Sequence, residues 1–273
     1  MKTVLITGAS AGIGKSTVEL LLKKGYKVYA AARRIDKLEE LKGSGAIPIQ
    51  MDVTDKRSME EGIEKINKES GGVDILINNA GYGSFGSVEE VPIEEAKRQF
   101  EVNIFGLARL TQLVIPHMRE MNWGKIVNIS SIAGKIYQPL GGWYHSTKFA
   151  LEGLSDCLRL ELKGFGIDVI VVEPGPIRSE WKDIAINSLM KTSGNGPYKK
   201  LVEGTINNFK NFYADKNSSS SEEVALIILK SVSSRRPKTR YPAGKNARLI
   251  LLGRKLFSDK IFDRAMLFMV KTK

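Results

Sequence analysis

The sequence predicts an α/β fold, a doubly wound parallel sheet in a single domain that carries an insertion after about residue 180 and a basic C-terminal extension. Three observations point there. Six Val- and Ile-rich runs, "KTVLIT", "YKVYAAA", "AIPIQMD", "VDILINNA", "GKIVNIS" and "DVIVVEP", recur between residues 1 and 180, with segments of helical period between them. The runs are continuously apolar, as strands buried on both faces require. Strands that alternate with helices call for right-handed crossovers, and hence a parallel sheet covered on both sides.

The first run leads through "TGASAGIG" into a helix, the context a dinucleotide-binding turn requires. Gly8 permits the tight turn, and Gly12 and Gly14 let backbone approach a pyrophosphate and helix approach sheet. The helix start supplies unpaired N–H donors and the positive end of a dipole. The second run ends "VYAAARR", where a carboxylate would bind the two hydroxyls of an NAD ribose. Here stand Ala32, Arg33 and Arg34. Two guanidiniums able to fork onto a 2′-phosphate, and no carboxylate to repel it, favour NADP over NAD; the plain alternative is an exposed basic pair at a helix start. Asp52 closes the third run beside Val53, placed either to accept from an adenine amino group or to cap a helix. The literal G-x-G-x-x-G string "GYGSFG" at 81–86 follows the fourth run into a loop and reads as a decoy.

Composition narrows the class. A chain of 273 residues with 42% apolar content can bury a full core. Its single cysteine, Cys157, sits in a helical stretch, is expected in the core, and has no partner for an internal disulfide. No Cys/His cluster has metal-ligand spacing, so no metal is expected and an intracellular, cytoplasmic protein is. The start lacks the apolar segment of a signal peptide, and "AMLFMV" is far below the ~20 residues that span a bilayer. The net charge of +12 belongs to the tail: residues 230–273 hold 13 Lys+Arg against 2 Asp+Glu, whereas residues 1–229 hold 29 against 28. A nearly neutral body argues against nucleic acid. The basic and apolar tail fits a subunit contact, the rim of an apolar pocket, or peripheral association with an anionic membrane surface.

From Trp181 to about Ser221 the rhythm loosens. The segment is nevertheless rich in apolar side chains, among them Ile184, Leu189, Phe209 and Tyr213, which suits a cover over a site better than a solvated linker. "SEEVALIILKSV" then reads as a capped helix, and "TRYPAG" as a last strand. The parts are thus 1–180, 181–220 and 221–273.

Within the region before the insertion, "WYHSTK" at 143–148 sets Tyr144 four residues before Lys148, on one helical face. The spacing recurs at Tyr241 and Lys245, where Pro242 and Gly244 oppose a regular helix and a surface position is expected. Neither His145 nor His117 is needed for chemistry.

"TGASAGIG" (7–14), "NNAG" (78–81), "VNIFG" (102–106), "NISSIAG" (128–134), "YHSTK" (144–148) and "PGPIRS" (174–179), in this order and at these intervals, resemble the short-chain dehydrogenase/reductase family with its Rossmann-like fold. The resemblance implies catalysis by Ser131, Tyr144 as general acid/base, Lys148 as its modulator and Asn103 in a water-mediated proton relay. It also implies NADP(H) bound by Gly8, Ser10, Gly12, Ile13, Gly14, Arg33, Arg34, Asp52, Val53, Asn79, Ala80, Gly81, Pro174, Gly175, Ile177 and Ser179, together with Tyr144 and Lys148. Ser179 stands where a threonine is more usual.

The resemblance further implies an oxidoreductase interconverting an alcohol with a ketone or aldehyde. A homodimer or homotetramer would join through the helices of 93–121 and 142–164. The long tail is similar to that of steroid- and retinol-dehydrogenase-like members, hence a lipophilic substrate; a 3-oxoacyl-acyl-carrier-protein-type reductase and a silent NADPH-binding sensor are the alternatives. The chemistry agrees. A free phenol, with pKa about 10, exchanges protons poorly near neutrality. A lysine ammonium ~4 Å away in an effective dielectric near 20 supplies the roughly 4 kcal/mol that would lower it to ~7. A serine hydroxyl at Ser131 would donate to the substrate oxygen; its plain alternative is a strand-end serine satisfying backbone.

Overall fold

The computed structural model describes residues 1–271. Seven parallel strands form one sheet: β1 (Thr3–Thr7), β2 (Lys27–Ala32), β3 (Ile47–Gln50), β4 (Ile75–Asn78), β5 (Gly124–Ile129), β6 (Ile167–Pro174) and β7 (Arg240–Ala243). Their order is β3-β2-β1-β4-β5-β6-β7. The chain winds outward from β1 in one direction and from β4 in the other, so the strand order reverses between β1 and β4. Their C-terminal ends are therefore where a cleft opens. All six apolar runs and "TRYPAG" are strands, and β1, β4 and β5 are buried along their whole length.

Helices cover both faces. On one, α1 (Gly12–Lys23) lies beside α9 (Ser221–Ser233), with Val18, Leu21, Val224 and Ile228 against the sheet and the short α2 (Ile35–Glu39) at its edge. On the other, α3 (Lys56–Ser70), α5 (Leu107–Glu120) and α6 (Gly142–Leu162) bring down Met59, Ile63, Leu110, Val114, Leu158 and Leu162. The start of α9 is a capping box formed by Ser220 and Glu223. The helix α4 (Ile93–Phe100) passes into α5 through a π-helical turn, Glu101–Gly106, a distortion that periodicity alone does not reveal.

The segment of loosened rhythm folds into two helices, α7 (Trp181–Ser193) and α8 (Lys199–Phe212). They close a separate apolar cluster in which Leu189, Val202 and Phe209 meet Phe85, Ala133, Leu140 and Tyr144. The extension forms α10 (Ala247–Leu256) and α11 (Asp259–Met269); its residues 272 and 273 lie outside the described residues. No described helix is long and apolar enough to cross a membrane.

Two sequence expectations are corrected. Cys157 is exposed rather than in the core. On α6 the residues turned to the sheet are Ser155, Leu158 and Leu162, at helical spacing, and Cys157 falls on the opposite side. Tyr241 is half-buried against the core rather than on the surface, because it lies on β7 and its hydroxyl accepts from the Lys238 amide. Lys245 follows beyond the strand and is exposed.

Candidate active site

At the end of β1 the chain turns through Gly8 and Gly12, with φ of +66° and +51°. A side chain at either would strain the backbone. Gly14 answers a different need, since a Cβ there would stand 2.3 Å from the Gly8 carbonyl oxygen. The turn is braced from β4: the Asn79 side-chain amide donates to the Thr7 and Gly8 carbonyls at 3.0 and 3.2 Å. The Thr7 hydroxyl accepts from the Asn79 and Ala80 amides. Ala11, at the cap of α1, offers no side-chain acceptor, and the first turn holds no acid. The leading N–H groups of α1 thus keep their capacity for an anion.

Across the sheet's C-terminal edge the protein holds a cleft of about 850 Å³. It is lined by Gly8, Ser10, Gly12, Ile13, Arg33, Arg34, Asp52, Val53, Asn79, Ala80, Gly81, Ser131, Tyr144, Lys148, Pro174, Gly175, Ile177 and Ser179. Of the residues singled out from the sequence, only Gly14 and Asn103 stand behind its wall. The Asn103 carboxamide is fully engaged there. Its oxygen accepts from the Tyr82 amide, and its nitrogen donates to the Tyr82 carbonyl and the Thr147 hydroxyl. At the acidic position after β3, Asp52 accepts from the Thr54 amide and hydroxyl, while the cap of α3 is Asp55. The helix-capping alternative for Asp52 therefore falls to its neighbour.

Tyr144 is 8% exposed and leans on Phe85 and Trp181, with ring centroids 5.5 and 5.3 Å away. Burial pushes its phenol up to about 12, against a smaller downward pull from the neighbouring Ser131 hydroxyl. Lys148 is pushed down to about 8 by burial, opposed by the Glu152 carboxylate one turn along α6, and its ammonium donates to the Ile129 carbonyl at 2.9 Å. Burial acts on both groups and the lysine also donates to a backbone carbonyl, so the protein's own groups do not by themselves produce the lowered phenol expected from the sequence. Ser131 itself caps a short 3₁₀ turn, accepting from the Ala133 amide, and its hydroxyl reaches the Pro174 carbonyl at 3.4 Å.

The sequence reading missed several neighbours. Tyr82 and Arg98 line the cleft, and Phe85 packs on Tyr144. Tyr82 and Phe85 come from the "GYGSFG" string, which runs into a loop and shapes the wall; its aromatic residues between glycines were the available signal. Tyr213, at the end of α8 and already marked by the sequence as part of the apolar cover, is half-buried and lines the cleft as a second phenol, which desolvation and then the proximity of Tyr144 push well above its ordinary value. Behind Lys148, Arg240 of β7 donates to Glu152 at 3.0 Å and to Asp156 at 2.7 Å. Lys135 stands 3.3 Å from the same Glu152.

Comparison with known proteins decides the family. The sequence pattern described as short chain dehydrogenase matches residues 2–186. The chain belongs to the short-chain dehydrogenase/reductase family. It is 38% identical over 262 residues to the probable short-chain type dehydrogenase/reductase VdlC of Helicobacter pylori, covering 95% of this chain and 94% of that one. It is 33% identical over 280 residues to the NADPH-dependent 3-dehydrocapnine reductase of Ornithobacterium rhinotracheale, covering 97% and 95%. Among solved structures, a short-chain dehydrogenase from Streptomyces avermitilis superposes with a TM-score of 0.77 at 32% identity, covering 98% of this chain and 94% of that one.

This short-chain dehydrogenase/reductase is accordingly an NAD(P)-dependent oxidoreductase. The residues present fit a nicotinamide dinucleotide. The α1 start lacks any side-chain acceptor, a Cβ at Gly8 or Gly14 would fill the close turn beside it, and two arginines with no carboxylate follow β2 at the cleft edge. Among the described residues no group of His, Cys, Asp and Glu stands ready to hold a metal ion.

Proposed function

We propose that this chain is an NADP-dependent oxidoreductase that interconverts an apolar ketone or aldehyde and its alcohol. The observation that carries the reading is the placement of Tyr144. It is a buried phenol in an apolar aromatic wall, within one cleft with Ser131, Lys148 and the glycine turn. When bound, the nicotinamide supplies or takes up the hydride.

The chain's own residues do the rest. Gly8, Ser10, Gly12, Ile13 and Gly14 form and support the pyrophosphate cradle. Arg33 and Arg34 hold the 2′-phosphate, and Asp52, Val53, Asn79, Ala80 and Gly81 line the adenosine side. Pro174, Gly175, Ile177 and Ser179 line the nicotinamide side. Ser131 donates to the carbonyl oxygen and thereby orients it. Tyr144, a phenol protonated at neutral pH and more so on burial, hands its proton to that oxygen during reduction and recovers one from the Lys148 side, whose ammonium near pKa 8 can exchange protons close to neutrality. Asn103 fixes the Gly81–Tyr82 corner and, through Thr147, the helix that carries both groups. The relay assigned to it runs past its engaged carboxamide rather than through it.

The apolar class of the substrate rests on Phe85, Trp181, Ile184 and Tyr213, which surround or line the region of Tyr144. In this reading 181–220 is the substrate-contacting part of the single domain. The exposed Phe105, Phe149 and Leu160 on the π-helical turn and α6 mark where like subunits meet. The test is an NADPH-consumption screen of ketones and aldehydes of increasing chain length. Turnover rising with chain length supports the reading, and turnover of small hydrophilic carbonyls alone contradicts it.

A further inference from the structure

The helices α10 and α11 carry an apolar surface that none of the described residues covers. On α10, Leu249, Leu252 and Leu256 are 70, 52 and 70% exposed, and their spacing sets them in one outward stripe. Arg248 and Lys255 flank that stripe and are themselves exposed. The turn adds Phe257, 51% exposed. On α11 the inward side holds Phe262 and Val270, while Ile261 and Phe268, 51 and 75% exposed, share the outward side with Lys260, Arg264 and Lys271.

The charge on the outward side is positive. Of the two acids in residues 230–273, Asp259 is paired with Arg254, and Asp263 keeps its charge but sits on the side of α11 turned to Tyr137, whose hydroxyl donates to it. The Arg254 guanidinium also lies over the Tyr137 and Phe262 rings, which pins the turn between the helices. The outward side is thus leucine and phenylalanine rimmed by unneutralised cations. A protein partner of mixed charge has no use for that bias, whereas the headgroup and acyl boundary of an anionic bilayer matches both components at once.

The surface also has a place relative to the cleft. The inner side of α11 packs on α8 so closely that a Cβ on Gly204 would stand 1.7 Å from the Val270 carbonyl oxygen. The helix α8 in turn sends Phe209 against Phe85 in the aromatic wall beside Tyr144. We infer that α10 and α11 dock this protein on an anionic lipid surface, with α8 linking the docked face to the substrate cleft. The docking stands independently of the proposed reaction; its use in passing an apolar substrate from bilayer to cleft rests on that reading.

The experiment is co-sedimentation of the full chain with phosphatidylglycerol–phosphatidylcholine vesicles and with pure phosphatidylcholine vesicles, at low and high salt. No cofactor or substrate is needed, so failure of the docking and failure of the reductase reading are separable. The expected result is binding to the mixed vesicles that weakens at least about tenfold in high salt or on removal of the anionic lipid. The variants Leu249→Asp/Leu256→Asp/Phe268→Asp and Lys255→Glu/Lys260→Glu/Arg264→Glu should each lose binding while keeping wild-type turnover of a short, water-soluble carbonyl. Absence of binding to the mixed vesicles, or variants that bind as wild type does, would overturn the inference. So would a vesicle-blind protein whose oligomer falls apart in the first variant, since the surface would then be a subunit contact.

Discussion

Replacing Arg33 by alanine should separate the two cofactors. Arg33 lines the cleft at the end of β2, is exposed, and forms no ion pair among the described residues, so its guanidinium is available to a ligand. Its neighbour is less available, because Arg34 reaches the Ser10 hydroxyl at 3.2 Å and Glu180 at 3.8 Å. A hydrogen bond to a charged group contributes about 1.5–3 kcal/mol, and exposure at the cleft edge reduces this to about 1–2 kcal/mol. At 1.4 kcal/mol per tenfold, Arg33→Ala should weaken NADPH roughly 5- to 30-fold. NADH, which lacks the 2′-phosphate, should change by less than about twofold on the same scale. Fluorescence titration of each reduced cofactor into wild type and variant measures both numbers. Raising the ionic strength should shrink the wild-type preference, as expected of an exposed charge contact. Equal losses for the two cofactors would reject the phosphate contact and return Arg33 to the status of a surface cation.

Two further predictions concern the charged cluster behind Lys148. Arg240→Leu leaves the buried Glu152 and Glu173 without their chief cation, which should cost about 3–5 kcal/mol of folding stability, toward the lower end because Lys135 still faces Glu152. Urea unfolding measures it; a loss under about 1 kcal/mol would show that the cluster is not the clamp between α6 and β7 that its distances imply. Glu173 is pushed up to about 7 by burial and then by Glu152. Between its usual value of 4.5 and about 7 the folded chain holds a proton that the unfolded chain has released, so this group's contribution is complete below 4.5 and is lost as pH rises through 7. Glu173→Gln should remove that decline, worth up to about 3 kcal/mol. Urea midpoints compared at either end of this window test it, and an unchanged slope would contradict the assignment.

Much of the fold is written in local pattern. The continuous Val/Ile runs report strands buried on both faces, and the glycines at 8, 12 and 14 report a backbone geometry that other residues resist. Periodicity is weaker where tertiary packing decides. Helices α7 and α8 are held by an aromatic cluster whose members come from four distant segments, so their own sequence shows only a loosened rhythm. Cys157 looked buried by residue type, but its angular position on α6 turns it outward. The Tyr144 and Lys148 spacing picked out two residues that do line one cleft without giving their electrostatics, because desolvation and the Ile129 carbonyl are properties of the assembled cleft. The Arg240 clamp joins residues more than eighty positions apart, a distance at which no motif operates.

The central claim is that the Tyr144 hydroxyl, and not the ring that carries it, moves the proton. Tyr144→Phe keeps the ring against Phe85 and Trp181 and removes one oxygen. Single-turnover reduction of the best carbonyl from the screen, measured beside NADPH titration, should show cofactor affinity unchanged and the rate lower by about a hundredfold or more. A variant that turns over at close to the wild-type rate would contradict the account.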